Sequence, residues 1–147
     1  MRDNFNLNIA KKEDFSKIAK IYLEEFSKEP FNEPWTLEMA LKKLEIFSRY
    51  CDIWKILSKE EIVGFLVVNP NQWFLGEIIF GEEMAIQEKF QRRGIGEEAV
   101  KDMFKVYKKK GYKKYMCLVN ESSKSLGLQN KIGAKESKFD RLMERKL

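Results

Sequence analysis

A chain of 147 residues, 44% apolar and 35% charged, is long enough to close a core and too apolar for a disordered protein. No apolar run approaches the roughly 20 residues of a membrane-spanning helix, and Met1-Arg2-Asp3-Asn4-Phe5-Asn6 lacks the apolar stretch of a secretory leader. One domain over residues 1–147, in the cytoplasm and without a membrane partner, is the expectation. The net charge is +5 and histidine is absent, which removes histidine bases and the usual Cys/His zinc sites, so no metal is expected.

Residues 5–10 read as a strand, with Phe5, Leu7 and Ile9 alternating. Asp14 offers an N-cap to a helix whose stripe is Phe15, Ile18, Ala19, Tyr22, Leu23 and Phe26. A loop bracketed by Pro30 and Pro34 follows. Thr36 can then cap a second helix with Leu37, Ala40, Leu41, Leu44 and Phe47 inward. Residues 53–57 and 62–68 form a predicted antiparallel hairpin about the polar turn Ser58-Lys59-Glu60-Glu61. Cys51 and Cys117 sit in apolar, strand-like surroundings, so two free thiols are expected rather than a disulfide.

After Gly76 a long strand is predicted over residues 77–86, then a polar loop over 87–93. Gly94-Ile95-Gly96 opens a helix that ends at Gly111, with Ala99, Val100, Met103, Phe104 and Tyr107 on its buried stripe. A strand over 114–119, a helix over 122–132 closed by Gly133, and one or two strands in the tail complete the order. The result is a mixed α/β (α+β) sheet with helices on its faces. The densest basic run, Lys108-Lys109-Lys110 followed by Lys113 and Lys114, lies at a helix end, where cations favour the negative pole of the helix dipole. The other lysines are spread along the chain. RNA binding would need aromatics interleaved on strands, so no nucleic-acid partner is expected.

Chemistry concentrates between residues 82 and 100. A helix start presents unpaired N–H groups and a partial positive charge, and glycines let a phosphate approach the backbone. Lys89, Arg92 and Arg93 add positive charge beside Gly94 and Gly96, so the segment is a predicted diphosphate cradle. Gly94-Ile95-Gly96-Glu97-Glu98-Ala99 also satisfies the dinucleotide pattern G-x-G-x-x-A, but that pattern places its first glycine almost directly after the strand. Here the residues 87–93 intervene. A Walker A loop is absent.

Gln91-Arg92-Arg93-Gly94-Ile95-Gly96, between a strand and a helix, resembles the Q/R-x-x-G-x-G/A pyrophosphate loop of the GNAT (Gcn5-related) N-acetyltransferase superfamily, as a small bacterial-type member. Ile62-Val63-Gly64-Phe65, the run 125–133 closing on Gly133, and Met143-Glu144-Arg145-Lys146-Leu147 resemble further parts of that pattern. Pro30–Ala40 with Glu83-Met84 is similar to a subgroup that includes aminoglycoside 6'-acetyltransferase-like proteins. The resemblance implies a GNAT-type, mostly antiparallel sheet of six to seven strands with about four helices. It implies transfer of acetyl from acetyl-CoA, as co-substrate, to a primary amine of a small molecule or a peptide. A homodimer stays open.

The same resemblance puts acetyl-CoA against the backbone of Met84, Ala85 and Ile86, on the loop and helix start at Gln91, Arg92, Arg93, Gly94, Ile95 and Gly96, and beside Ser125. Glu82 and Glu83 are the carboxylates nearest that strand end. Strand alternation turns only one of them into the slot, and Glu83 matches the subgroup's glutamate. Two departures stand out. Ser122 and Gln129 replace the Asn and Tyr often found in the family, the Tyr commonly protonating the departing thiolate, and no tyrosine follows Tyr115. A protein that holds CoA or acetyl-CoA with little transfer is therefore the alternative reading.

For the acceptor, the first two helices and their loop hold Glu24, Glu25, Glu29, Glu33, Glu38 and Glu45 against Lys28, Lys42 and Lys43. Local acidity in a basic chain favours a cationic amine. Phe26, Phe31, Trp35, Trp73 and Phe74 are candidate walls, with ordinary core packing as the competing explanation.

Overall fold

A computed structural model describes residues 4–147. The elements are β1 (Phe5–Ile9), α1 (Phe15–Phe26), α2 (Leu37–Ser48), β2 (Asp52–Ser58), β3 (Glu61–Asn69), β4 (Ile78–Ile86), α3 (Ile95–Lys109), β5 (Lys114–Cys117) and α4 (Lys124–Lys131). Short 3-10 turns at Lys12–Asp14 and Glu88–Phe90 lead into α1 and toward α3. The strands make one sheet in the order β1-β2-β3-β4-β5. Its first three pairings are antiparallel, and β5 joins β4 in parallel.

The β2–β3 hairpin turns through Lys59 and Glu60, both at positive φ (48° and 69°), which gives the sheet its favoured twist. Strand alternation then splits the core in two. Phe65, Val67 and Ala85 face α1 and α2, against Ile18, Tyr22, Ala40 and Phe47. Leu66, Val68 and Ile86 face α3, against Val100, Met103 and Tyr107. Gly64 lets β3 and β4 close up, because a Cβ there would stand 2.7 Å from the Ala85 carbonyl oxygen.

Thr36 caps α2 as predicted, its Oγ1 accepting the Met39 N–H at 3.1 Å. Asp14 does something else. Its backbone is helical and its side chain does not cap α1. The carboxylate instead accepts from the Lys11 N–H (2.7 Å) and the Lys55 ammonium (2.8 Å), clamping the start of α1 to β2. Leu37, expected inward, is exposed at the first turn of α2.

The tail differs most. Among the described residues, 134–147 carry no strand, and the sheet has five strands rather than six to seven. A strand exists only through ladder bonds to a neighbour, and no backbone hydrogen bond joins residues 135–147 to the rest of the described chain. Phe139 (93% exposed), Leu142, Met143 and Leu147 are left in solvent. Alternation in the sequence marks strand capacity, while pairing depends on where the chain lies.

Candidate active site

The slot arises where β4 outruns β5. Their parallel ladder runs from Ile78 opposite Lys114 to Gly81 opposite Cys117 and stops. β4 continues to Ile86, while the segment after β5 turns away through Leu118, Val119 and Asn120 toward α4. The opening between them is lined on one face of the sheet by Phe26, Phe31 and Glu83. On the other it is lined by Val100, Met103, Tyr115, Ser125 and Gln129.

A β-bulge decides which carboxylates enter it. Val67 lies opposite Glu83 but Val68 lies opposite Gly81, so Glu82 is an extra residue on β4. Strict alternation would send only one glutamate into the slot; the bulge puts both on its lining. Their surroundings differ. Glu82 accepts from the Asn69 amide of β3 at 2.9 Å. Glu83 accepts from the Tyr22 hydroxyl of α1 at 3.0 Å. Burial pushes the Glu83 carboxyl up to about 7, against the opposing pull of the Tyr22 hydrogen bond and the Lys43 charge; Glu33 and Glu82 push it further up. Tyr22 itself is fully buried among Phe26, Trp35 and Phe65.

Beyond β4 the predicted cradle is a tight loop at the start of α3. Arg92 and Gly94 both adopt left-handed backbone (φ 62° and 77°), and a side chain at Gly94 would meet open space. Glycine at 94 thus serves conformation. Gly96 serves packing: a Cβ there would stand 2.9 Å from Met84 Cε and 3.5 Å from Leu128. Ile95 is buried beneath the first turn of α3, whose leading N–H groups have no helical acceptor. Arg93 lies over the Phe90 ring (5.4 Å).

Gln91, a predicted cofactor contact, uses its side chain to hold the loop. Its amide donates to the Ile86 carbonyl (2.7 Å) and to Glu25 (3.0 Å), and its oxygen accepts from Lys124 (3.1 Å). Of the strand residues, Met84 lines the slot with Glu82 and Glu83. Ala85 and Ile86 bury their side chains in opposite core halves, leaving only their backbone for a ligand. Ser125 reaches the slot from the first turn of α4. Lys124 was not singled out by sequence, and neither was Tyr22 as a partner for Glu83.

Among the candidate acceptor walls, Phe26 and Phe31 line the slot and Trp35 packs edge-on against Tyr22 (4.7 Å). Trp73 and Phe74 are exposed and lie outside it. Of the acidic set, Glu25 is tied to Lys28 and Gln91, and Glu33 is coupled electrostatically to Glu83. Glu24, Glu29, Glu38 and Glu45 lie on the exposed surface. Gln129 is 8% exposed, and its Oε1 has no hydrogen-bond partner. A narrow slot with an unpaired buried acceptor fits an amide-bearing chain such as the pantetheine arm of CoA.

The family model described as Acetyltransferase (GNAT) family matches residues 15–133. The chain belongs to the GNAT acetyltransferase family. No curated protein matches the sequence itself. Solved structures match the fold along its length. A possible acetyltransferase from Clostridium difficile 630 superposes with a TM-score of 0.81 at 11% identity, covering 97% of this chain and 98% of that one. An aminoglycoside N-acetyltransferase in complex with CoA gives 0.75 at 12%, covering 98% and 95%. An aminoglycoside acetyltransferase from an uncultured soil metagenomic sample, in complex with sisomicin, gives 0.71 at 17%, covering 97% and 96%. At these identities the likeness carries the fold alone. No helix among the described residues is long and apolar enough to cross a membrane.

Proposed function

We propose that this GNAT protein transfers acetyl from acetyl-CoA to the primary amine of a small cationic molecule or a peptide, with Glu83 receiving the amine proton. One observation carries the reading: a carboxylate held up to about 7 stands at the point where β4 and β5 part. An alkylammonium ion must lose a proton before it can attack a carbonyl. A base with a pKa near the working pH is both available and strong enough to take it. Tyr22 fixes the carboxylate in place through its hydrogen bond. Glu33 and Glu82 add negative charge around it, which attracts a cation before it is deprotonated.

Acetyl-CoA supplies the activated carbonyl. Its diphosphate would sit on the leading N–H groups of α3 with Arg92 and Arg93 beside it, since that terminus gathers unpaired donors. The pantetheine arm would run along the backbone of Met84, Ala85 and Ile86, with Ser125 on the opposite wall. Structural relatives in complex with CoA and with sisomicin are in keeping with a CoA ligand and a small-molecule amine. The free thiols of Cys51 and Cys117 are in keeping with a reducing cytoplasm.

The test is a panel of amines (polyamines, aminoglycosides, amino acids and peptide N-termini) incubated with acetyl-CoA, with thiol release as readout. At least one should be acetylated, and Glu83→Gln should suppress its turnover. A wild-type protein that binds CoA and acetylates none of them would leave a CoA-binding protein instead.

A further inference from the structure

Glu83 serves the amine side of the slot. Rupture of a thioester also places negative charge on sulfur. A hydrogen-bond donor in the slot would stabilise that charge if acetyl transfer, on which this inference rests, is the reaction.

The hydroxyls around the slot narrow the choice. Tyr22 is committed to Glu83, and the Ser123 hydroxyl to the Asn120 carbonyl at 2.8 Å; Ser125, also on the lining, carries an alcohol, a weaker acid and donor than a phenol. Tyr115 is different. It lies on β5, its ring edge-on to Phe104 of α3 (4.9 Å), and its hydroxyl reaches the last rung of the β4–β5 ladder. A Cβ at Gly81 would stand 2.9 Å from that oxygen, so glycine at 81 makes room for the phenol tip where the strands separate. There the phenol lies beside the Cys117 thiol and the Gln129 amide, all three on the lining of the slot. Gln129 is buried on α4, and its Oε1 is the atom left without a partner. A buried, unpaired carbonyl is costly unless a ligand donor completes it.

We infer that Tyr115 donates a hydrogen bond to the departing thiolate, with Gln129 positioning the phenol and accepting an amide N–H of the pantetheine arm. As the carbon–sulfur bond breaks, its electron pair stays on sulfur. The phenolic O–H donates to that sulfur and keeps its own proton, and solvent protonates the thiolate as it leaves, releasing the free thiol. The proton taken from the amine leaves through Glu83 to solvent, so one proton passes in sum from nitrogen to sulfur. Burial, reinforced by the neighbouring Cys117, holds the Tyr115 proton well above the usual phenol range, so the phenol remains a donor at any working pH.

Tyr115→Phe keeps the ring against Phe104 and removes only the donor. Turnover should fall about 10²-fold, with the acetyl-CoA KM within about threefold. Gln129→Leu should lower turnover about tenfold. The double variant should be no slower than Tyr115→Phe, because the two act as one unit. Calorimetry with CoA and with desulfo-CoA supplies a readout that a packing role would not move. At about pH 9.5, where a thiol ionises, wild type should prefer CoA over desulfo-CoA about tenfold more than Tyr115→Phe does. Unchanged turnover, or an unchanged preference for CoA over desulfo-CoA, overturns the assignment. If wild type binds CoA but acetylates no amine, the transferase reading fails, while the desulfo-CoA comparison still decides whether Tyr115 meets the sulfur. If CoA does not bind, both fall.

Discussion

The hydroxyl of Tyr22, in the middle of α1, donates a 3.0 Å hydrogen bond to Oε1 of Glu83 on β4, 61 residues further along the chain. It ties the helix proposed to form the acceptor side to the strand that bounds the slot. It also sets the state of the carboxylate: burial raises the Glu83 pKa to about 7, and the Tyr22 bond works against that rise by favouring the charged form.

If Glu83 takes the amine proton, only its ionised form is active, so kcat/KM should climb with pH through about 7 and then level off. Glu83→Gln should lower turnover about 10²- to 10⁴-fold and remove that limb, with little change in acetyl-CoA affinity. Glu82→Gln, which disturbs a bond to Asn69 and removes a charge that raises the Glu83 pKa, should keep the limb and move it slightly to lower pH. A pH–rate profile identical in wild type and Glu83→Gln would mean that the acceptor binds as free amine and that positioning alone sustains the reaction.

Tyr22→Phe preserves the packing against Phe26, Trp35 and Phe65 while deleting the bond that favours the carboxylate anion. The limb should therefore move to higher pH. The loss of one buried hydrogen bond should cost about 1 kcal/mol of stability. A limb that stays put while stability drops would reduce Tyr22 to a packing residue.

The raised Glu83 pKa also has a cost in stability. The folded state holds the Glu83 proton more tightly than the unfolded chain, whose value is near 4.5. Stability should therefore decline as pH rises from about 4.5 to about 7, the folded state binding more protons throughout. The ceiling is about 3 kcal/mol, from 1.36 kcal/mol per tenfold change in proton affinity. Chemical denaturation of wild type and Glu83→Gln at several pH values will read it. The variant should gain relative stability up to neutral pH, and a constant gap between the two would refute the buried-carboxylate account.

Arg92→Ala combined with Arg93→Ala should weaken CoA at least tenfold, about 1.4 kcal/mol, and should leave dephosphorylated pantetheine much less affected. Equal losses for the two ligands would place the arginines in loop structure instead. Gly96→Glu is a poorer probe of the cradle, since the new side chain would first meet Met84 and Leu128 inside the fold.

The clamp at the start of α1 offers a stability test away from the chemistry. Lys55 and Asp14 are both largely shielded from solvent and 2.8 Å apart. Burial opposes the Asp14 charge, but the Lys55 and Lys11 contacts prevail and hold the carboxyl below its ordinary value. Its contribution is present above about pH 4 and lost as pH falls through the lowered folded value. Asp14→Asn should cost about 1–2 kcal/mol at neutral pH, measured by urea unfolding. A loss below a few tenths would show the clamp to be dispensable.

Much of this was legible from the chain alone. The stripes of α1 and α3, the Thr36 cap, the β2–β3 hairpin and the glycine loop before α3 follow from helical period, strand alternation and turn chemistry, which act within a few residues. The Gln91–Gly96 loop also gave the family, because a diphosphate cradle needs its glycines and helix start at fixed spacing. What the side chains there do was less visible. Gln91 holds the loop to α1, and Gly96 fits α3 against Met84, because those contacts involve elements distant in sequence.

Tertiary structure alone decided the rest. Alternation placed one of Glu82 and Glu83 in the slot, and a bulge placed both, because register depends on the partner strand. Only the fold could set Tyr22 against Glu83, or bring Tyr115 to Gln129 across the β5–α4 connection. The tail carries a strand-like pattern and forms no strand, since a strand needs a neighbour as well as a pattern. Local rules fix what each segment can become; which segments meet, and so which carboxylate is buried enough to hold its proton to about 7, is settled by how the sheet closes.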